Sequence, residues 1–172
     1  ADNPKRKAPK LIRLSAYQGN PDEQYKLGKL CQDTQNYQIA TRWYYLSAKQ
    51  GHAKAQFKLG IIYCQGEIVE QNYRKALKWI RLSAEQGHAE AQFLLGAFYE
   101  EGEKIKQDYA EAVKWFKRSA EQGCAIGQSN YAWMLIRGDG IERNNKAGFK
   151  WYKLAAEKGL AKAQFVVGLA YF

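Results

Sequence analysis

The chain has little of what usually announces chemistry. Its three Cys (Cys31, Cys64, Cys124) are irregularly spaced, so they form no disulfide framework and fix no redox compartment. There are two His, and His52 and His88 fill one recurring slot after Gly, where other copies have Asn20, Cys124 and Leu160. A metal held by His88 and Cys124 would lack further ligands at a usual spacing, so no metal site is expected. No G-x-S-x-G and no Gly-rich loop after a strand occurs. No carboxylate pair stands isolated in apolar sequence, where a raised pKa could arise. No catalytic residue and no cofactor is therefore expected. No apolar run approaches the ~18–20 residues that span a bilayer. Pro is scarce, and the only Met is Met134. The first residue is Ala1, which reads either as a processed mature end or as a trimmed start.

What is present is globular. The 172 residues are 46% hydrophobic and 26% charged, enough for a core. The formal net charge is +10, and part of it sits in a leading arm, where Lys5, Arg6, Lys7, Lys10 and Arg13 face Asp2 alone. Residues 1–8 are expected to be a solvated, flexible arm, and residues 9–172 a single domain.

Within that domain one unit recurs. Ala-x-x-Gly appears as Ala16/Gly19, Ala48/Gly51, Ala84/Gly87, Ala120/Gly123 and Ala156/Gly159; the last three intervals are 36 residues and the first is 32. Five residues after each Gly stands Gln24, Gln56, Gln92, Gln128 or Gln164. Eight before the later Gly stand Trp43, Trp79, Trp115 and Trp151. The repeats run near 19–50, 51–86, 87–122 and 123–158, with partial copies at 9–18 and 159–172. A period of this length points to a stacked helical solenoid.

Each repeat parses into two helices, A and B. On helix A, Ala55, Leu59 and Tyr63 share one face, and Gly60 sits mid-helix, where a neighbour must approach closely. Helix A stops near Gly66 or Gly102. Helix B starts at Asn36, Asn72, Asp108 or Asn144, with Asp108 and Glu111 fitting a capping box. It is expected to bury Ala76, Trp79, Ile80 and Ala84. The first A–B connection, Asp33-Thr34-Gln35, is four residues short and is read as a tighter turn. Leu11–Gly19 matches Trp79–Gly87, so the chain opens on a lone helix B, started by Pro9. It closes on a lone helix A whose Phe165, Val166, Val167, Leu169, Tyr171 and Phe172 leave it apolar on several sides. Ten helices are expected. Either the array continues, or this end packs on another chain and the protein self-associates.

The pattern A-x-A-Q-x-x-L-G-x-x-Y-x-x-G followed by N/D-Y-x-x-A-x-x-W-x-x-x-[SA]-A-x-x-G resembles the Sel-like repeat (SLR) family, a branch of the tetratricopeptide superfamily. The likeness covers about residues 11–172. A plain tetratricopeptide array has a period of about 34 and places Leu-Gly and Ala-x-x-Gly otherwise. The resemblance implies an all-α, right-handed αα-superhelix with its A helices on the concave side. It implies an adaptor that binds proteins, bacterial, and periplasmic or secreted; a cytoplasmic location is the alternative. The repeat from Gly123 departs most from the pattern, with Gly127 for Ala, Tyr131-Ala132 for Leu-Gly, Leu135 for Tyr and Gly148 for Ala.

Positions fixed across repeats are read as packing, and positions that vary on an exposed face as free for recognition. Two, five and nine residues after Gln, at helical spacing, the varying stripe of helix A reads Lys26 and Lys29 in the first repeat. It reads Lys58, Ile61 and Gln65 in the second, Leu94, Ala97 and Glu101 in the third, and Asn130, Trp133 and Arg137 in the fourth; Val166 and Leu169 follow. This stripe is the candidate partner-binding groove. Trp133 and Arg137 are residue types that dominate interface energies; the other reading of Trp133 is that it fills the gap left by Ala132 and Gly127. Cys31 and Cys64 read as small core residues, with a disulfide as the alternative.

Helix B carries a basic ridge: Arg42, Lys78, Lys114 and Lys150 precede each Trp, and Arg81, Lys117 and Lys153 follow. Nucleic acid or an anionic polysaccharide could use it. Glu85, Glu111, Glu121 and Glu157 interleave, however, which favours a solvated face whose Lys stems cover the Trp. The reading that results is a non-enzymatic scaffold binding another protein: a host-protein binder, an envelope adaptor or a toxin-neutralising protein.

Overall fold

The computed structural model describes residues 10–170. The arm 1–8, Pro9, Tyr171 and Phe172 lie outside the described residues. Among the described residues there are ten helices and no strand. They are α1 (Lys10–Tyr17), α2 (Pro21–Asp33), α3 (Tyr37–Lys49), α4 (Ala53–Gln65), α5 (Tyr73–Glu85), α6 (Ala89–Glu101), α7 (Tyr109–Glu121), α8 (Ala125–Arg137), α9 (Asn145–Glu157) and α10 (Ala161–Leu169). This is one lone B helix, four A–B pairs and one lone A helix: an all-α solenoid.

Two compact units divide at a repeat boundary, Ala1–Gln86 and Gly87–Phe172. In the first, consecutive helices from α1 through α5 pack on one another; in the second, consecutive helices from α6 through α10 do so. The first core gathers Leu27, Cys31, Ala40, Trp43, Tyr44 and Ile62, with a second cluster at Ala48, Ala55 and Leu59. The second unit buries Ala112, Phe116, Tyr131, Met134 and Leu135, and beside them Ala132, Tyr152, Ala155 and Ala163. Leu27, Leu59 and Leu95, one repeated position, are almost fully buried. Each contributes roughly 1.5–3 kcal/mol by leaving water. Cys31 is buried and Cys64 half-buried. The expectation that helix B buries Trp79 needs correction. Trp43 and Trp115 are buried, but Trp79 is half-buried at the edge of the second cluster. Tyr45 and the Lys78 amine flank its ring.

Capping follows the sequence with two exceptions. Asn72, Asp108 and Asn144 accept hydrogen bonds from the N–H groups of Lys75, Glu111 and Ala147. Asn36 makes no side-chain cap; its amide donates to the Thr34 carbonyl instead, 2.8 Å away, because the short turn folds back on itself. In that turn Gln35 adopts φ 60°, the left-handed conformation that Gly66, Gly102 and Gly138 take after α4, α6 and α8. The capping box at Asp108 is half formed. The Asp108 N–H donates to the Tyr99 carbonyl, and the Glu111 carboxylate goes to Lys114.

Mid-helix Gly60 is there for contact. A Cβ at that position would fall 2.6 Å from Ile80 Cγ1, deep in the A–B interface. The divergent repeat exchanges the two sizes. Ala132 takes the Gly60 position, and Gly148 takes that of Ala76 on the facing helix, where a Cβ would lie 2.9 Å from the Ala132 carbonyl oxygen. The A–B contact survives because one helix gains the methyl that the other gives up.

A polar ladder accompanies the apolar core. The buried Gln24, Gln56 and Gln128 side chains donate from Nε2 to the carbonyls of Ala16, Ala48 and Ala120 at the end of the preceding B helix, 3.1–3.3 Å away. Gln24, Gln56 and Gln92 accept at Oε1 from Gln50, Gln86 and Gln122 at 2.8, 2.7 and 2.6 Å. Ser47, Ser83 and Ser119 donate to the carbonyls of Pro21, Ala53 and Ala89. Buried polar groups stay only when bonded, so the repeating Gln is a structural bolt. His52 and His88 also belong to the scaffold: each Nδ1 accepts from the N–H three residues on, capping α4 and α6.

Candidate functional site

The stripe of varying positions is the natural place to look for recognition. In the first unit Lys26 and Lys29 are exposed on α2, and Lys26 is engaged by Glu23 at 2.8 Å. On α4, Lys58, Ile61 and Gln65 come together and line one concavity of about 430 Å³. Its apolar lining is Ala40 and Tyr44 from α3, Ile61 and Ile62 from α4, and Ile68 from the α4–α5 loop. Its polar lining is Gln32, Tyr37, Lys58, Gln65 and Glu67. Apolar side chains with a few polar groups among them are the usual build of a binding pocket.

Local sequence explains the concavity. The short α2–α3 turn places no longer loop over the start of α3. Ile68 and Val69 from the next connection pack against the first core near Ile39. The Tyr44 hydroxyl donates to Gln32 Oε1 at 2.7 Å, which fixes the ring as one wall. Burial pushes the Tyr44 phenol above its ordinary pKa, so it remains a donor.

In the second unit the same stripe behaves differently. On α6, Leu94 is half-buried, Ala97 packs against the core, and Glu101 is exposed and bonded to Lys104 at 3.0 Å. On α8, Asn130 donates to the Ile126 carbonyl at 2.9 Å. Trp133 is 38% exposed. Arg137 Cζ stands 5.4 Å from its ring centroid and Lys162 Nζ, from α10, 5.9 Å. Arg137 also meets Asp139 at 2.8 Å. Burial raises the Glu100 pKa, with the charges of Arg137 and Lys162 opposing the rise. The space at Gly127 is not left to Trp133, because Ser119 closes over it. On α10, Val166 packs on the last cluster while Leu169 is exposed.

Of the stripe expected from sequence, Lys58, Ile61 and Gln65 line the concavity, and Trp133 and Arg137 stand together in the second unit. The stripe does not include Gln32, Tyr44, Glu67 and Ile68, which share the concavity, or Glu100 and Lys162, which lie near Arg137 and Trp133. A signal for the first set was present. Aligning the repeats puts Ile68 opposite Gly140, and Gln32 opposite Glu100, outside the helix A stripe.

The basic ridge is partly neutralised. Lys114 pairs with Glu111, and Lys117 lies 3.8 Å from Glu121. Among the described residues no group of three His, Cys, Asp or Glu is placed to hold a metal ion. Among them too, no helix is long and apolar enough to cross a membrane.

Comparison with known proteins gives the context. A search of curated proteins returned no match. Among solved structures, a Sel1 repeat protein from Oxalobacter formigenes is 35% identical with TM-score 0.81, over 90% of this chain and 65% of its own. The c5321 protective antigen of uropathogenic Escherichia coli, which displays an SLR fold, is 33% identical with TM-score 0.86, over 99% of this chain and 36% of its own. The chain thus spans less than two thirds of the length of either. Immunity protein Pa5087 from Pseudomonas aeruginosa shares the fold at 19% identity and TM-score 0.59. Sel1 repeats in general form protein-interaction scaffolds rather than catalytic sites. The family model described as Sel1 repeat matches residues 24–52, 53–88, 89–124 and 125–160, in register with the repeats above, and the chain belongs to the Sel1 repeat family.

Proposed function

We propose that this chain is a non-enzymatic bacterial adaptor that binds a partner protein through the varying face of its A helices, with Ile61 and Trp133 as anchors. The observation that carries this is the concavity of about 430 Å³ whose walls include Lys58, Ile61 and Gln65. Those residues change between repeats, while the ladder Gln at positions 24, 56, 92, 128 and 164 recurs in every one. Trp133 supports the reading, since it stands 38% exposed with two cations near its ring. Periplasmic or secreted placement fits the bacterial relatives, one of them a protective antigen; cell fractionation separates this from the cytoplasm. The partner is a host protein, an envelope component or a toxin.

The test is capture from the native envelope extract, read by mass spectrometry, with the wild type, Ile61→Arg and Trp133→Ala as baits of matched thermal stability. The expected result is a protein enriched by the wild type and lost by one or both variants. Binding to heparin and DNA at two salt concentrations runs alongside. Tight, steeply salt-dependent binding that survives both substitutions would mean the helix B ridge is the working surface.

A further inference from the structure

The geometry points to the first-unit concavity as the seat of a tryptophan or tyrosine side chain carried by an acidic segment of a protein partner. This rests on the reading of the chain as a protein-binding scaffold, and it specifies that site's ligand.

Three observations support it. The first is shape. Ala40, Tyr44, Ile61, Ile62 and Ile68 give it an apolar lining, and about 430 Å³ is enough to hold one large ring. At the place of Ile68 the second unit has Gly140 at φ 68°, where a Cβ would overlap the Tyr109 backbone. An approach that close needs Gly, and the first unit has Ile68 there, lining the concavity together with Tyr37.

The second observation is that the chain itself shows which side chain suits the stripe. The position of Ile61 in the first unit is that of Trp133 in the second, and Gln65 corresponds to Arg137. Where the fourth repeat presents its own indole, the second repeat presents a shorter aliphatic and leaves room for an aromatic from outside.

The third is charge. Lys58 stands on the rim, Lys26 and Lys29 continue the stripe on α2, and the chain carries a net +10. A segment bearing Asp or Glu beside its anchor is attracted, and one bearing Lys or Arg is repelled. Glu67 also lines the concavity, and its carboxylate can accept a hydrogen bond that an indole N–H or a phenol O–H supplies and a phenyl ring does not.

The test uses the purified full chain on an array of synthetic peptides. The central residue is Trp, Tyr, Phe, Leu or Ser, and the flanks are Glu-rich or Lys-rich. Trp and Tyr peptides with Glu flanks should exceed their Ser-centred and Lys-flanked versions by about tenfold. Ile61→Arg should abolish that signal. Lys58→Glu should move the preference toward Lys flanks, and Glu67→Gln should reduce the advantage of Trp and Tyr over Phe. All three variants should melt with the wild type. Equal signals for Ser and aromatic centres, a preference for Lys flanks, undiminished binding by Ile61→Arg, or no binding by the wild type would each overturn the inference. The scaffold reading is judged separately. A partner captured from the envelope extract and lost with Trp133→Ala would leave it standing when the array is negative.

Discussion

In three successive steps of the polar ladder, a Gln at the end of helix B donates to the buried Gln of its repeat: Gln50 to Gln24, Gln86 to Gln56, Gln122 to Gln92. In the fourth repeat Lys158 holds the donor's place. Its amine reaches past the amide to the Gly123 carbonyl at 2.6 Å. Gln128 is 4% exposed, and its Oε1 has no hydrogen-bond partner among the described residues. Leaving a buried acceptor unmet costs roughly 1–3 kcal/mol, whereas an ordinary hydrogen bond contributes a net ~1 kcal/mol. Lys158→Gln should restore the missing donor and give up one solvent-exposed bond. The expected net gain is about 1 kcal/mol. For a chain of this length that raises Tm by about 2–4 °C.

Thermal and urea unfolding followed by circular dichroism would measure it, with Lys158→Ala as the control. Both substitutions remove one positive charge from a chain of net +10, so relief of self-repulsion is common to them. Only Gln can reach Gln128. The Gln variant should be more stable than wild type and the Ala variant slightly less. Equal stabilities for the two variants would refute the ladder as the source of the energy.

Two further outcomes follow from packing and capping. Burial lowers the His52 pKa below its usual 6.5, with Asp22 acting in the opposite direction and Lys54 adding to the lowering. The neutral ring caps α4, so the unfolded chain takes up the proton first; stability should be full above about pH 6.5 and fall as pH drops below it. The loss should approach the ~1 kcal/mol of a cap, and His52→Asn, which caps without titrating, should flatten the difference between urea curves at neutral and mildly acid pH. Gly60→Ala places a methyl against the fully buried Ile80. Overpacking of ~1–3 kcal/mol should outweigh the ~1 kcal/mol gained in helix propensity. A lower urea midpoint is expected, and a rise would show that the A–B interface yields easily.

The fold could be read from the sequence because its signals are local and repeated. Gly after Ala-x-x, Trp eight residues earlier and Asn or Asp before helix B each act within a few residues, and among the described residues the ten expected helices are present. Two caps did not follow composition, because turn geometry decides which group a side chain reaches. Asn36 turns back to Thr34, and the Asp108 N–H is taken by Tyr99. The exposure of Trp79 was equally hidden, since a repeated residue type does not fix how much neighbouring surface covers each copy. The concavity was half legible. Lys58, Ile61 and Gln65 lie on the stripe of varying residues, but Gln32, Tyr37 and Tyr44 join them from elsewhere, the first two near a turn four residues short and the third further along α3. No single-helix pattern joins those two sets; only their packing does.

The two units carry the same stripe to different ends, and the reason lies in what the scaffold holds fixed. Gln24, Gln56 and Gln128 pin α2, α4 and α8 to the helix before each, and Ser47, Ser83 and Ser119 pin B helices to the start of the A helix in their own repeat. With both ends bolted, residues two, five and nine after Gln can change without moving the backbone. Ile61 and Ile68 leave a hollow in the first unit, while Trp133 and Gly140 present a ring and draw a loop in the second. On the proposed reading, recognition would then be rewritten one repeat at a time at little cost in stability. The fourth repeat shows where that freedom ends. There the changes reach the ladder itself: Ser129 replaces an aromatic and is buried with its hydroxyl unbonded among the described residues, and Lys158 abandons Gln128. The fourth repeat thus keeps two unbonded buried polar groups, Gln128 Oε1 and Ser129 Oγ, on the helix that carries the exposed Trp133, and its stability should be the first in its unit to gain from restoring a ladder donor.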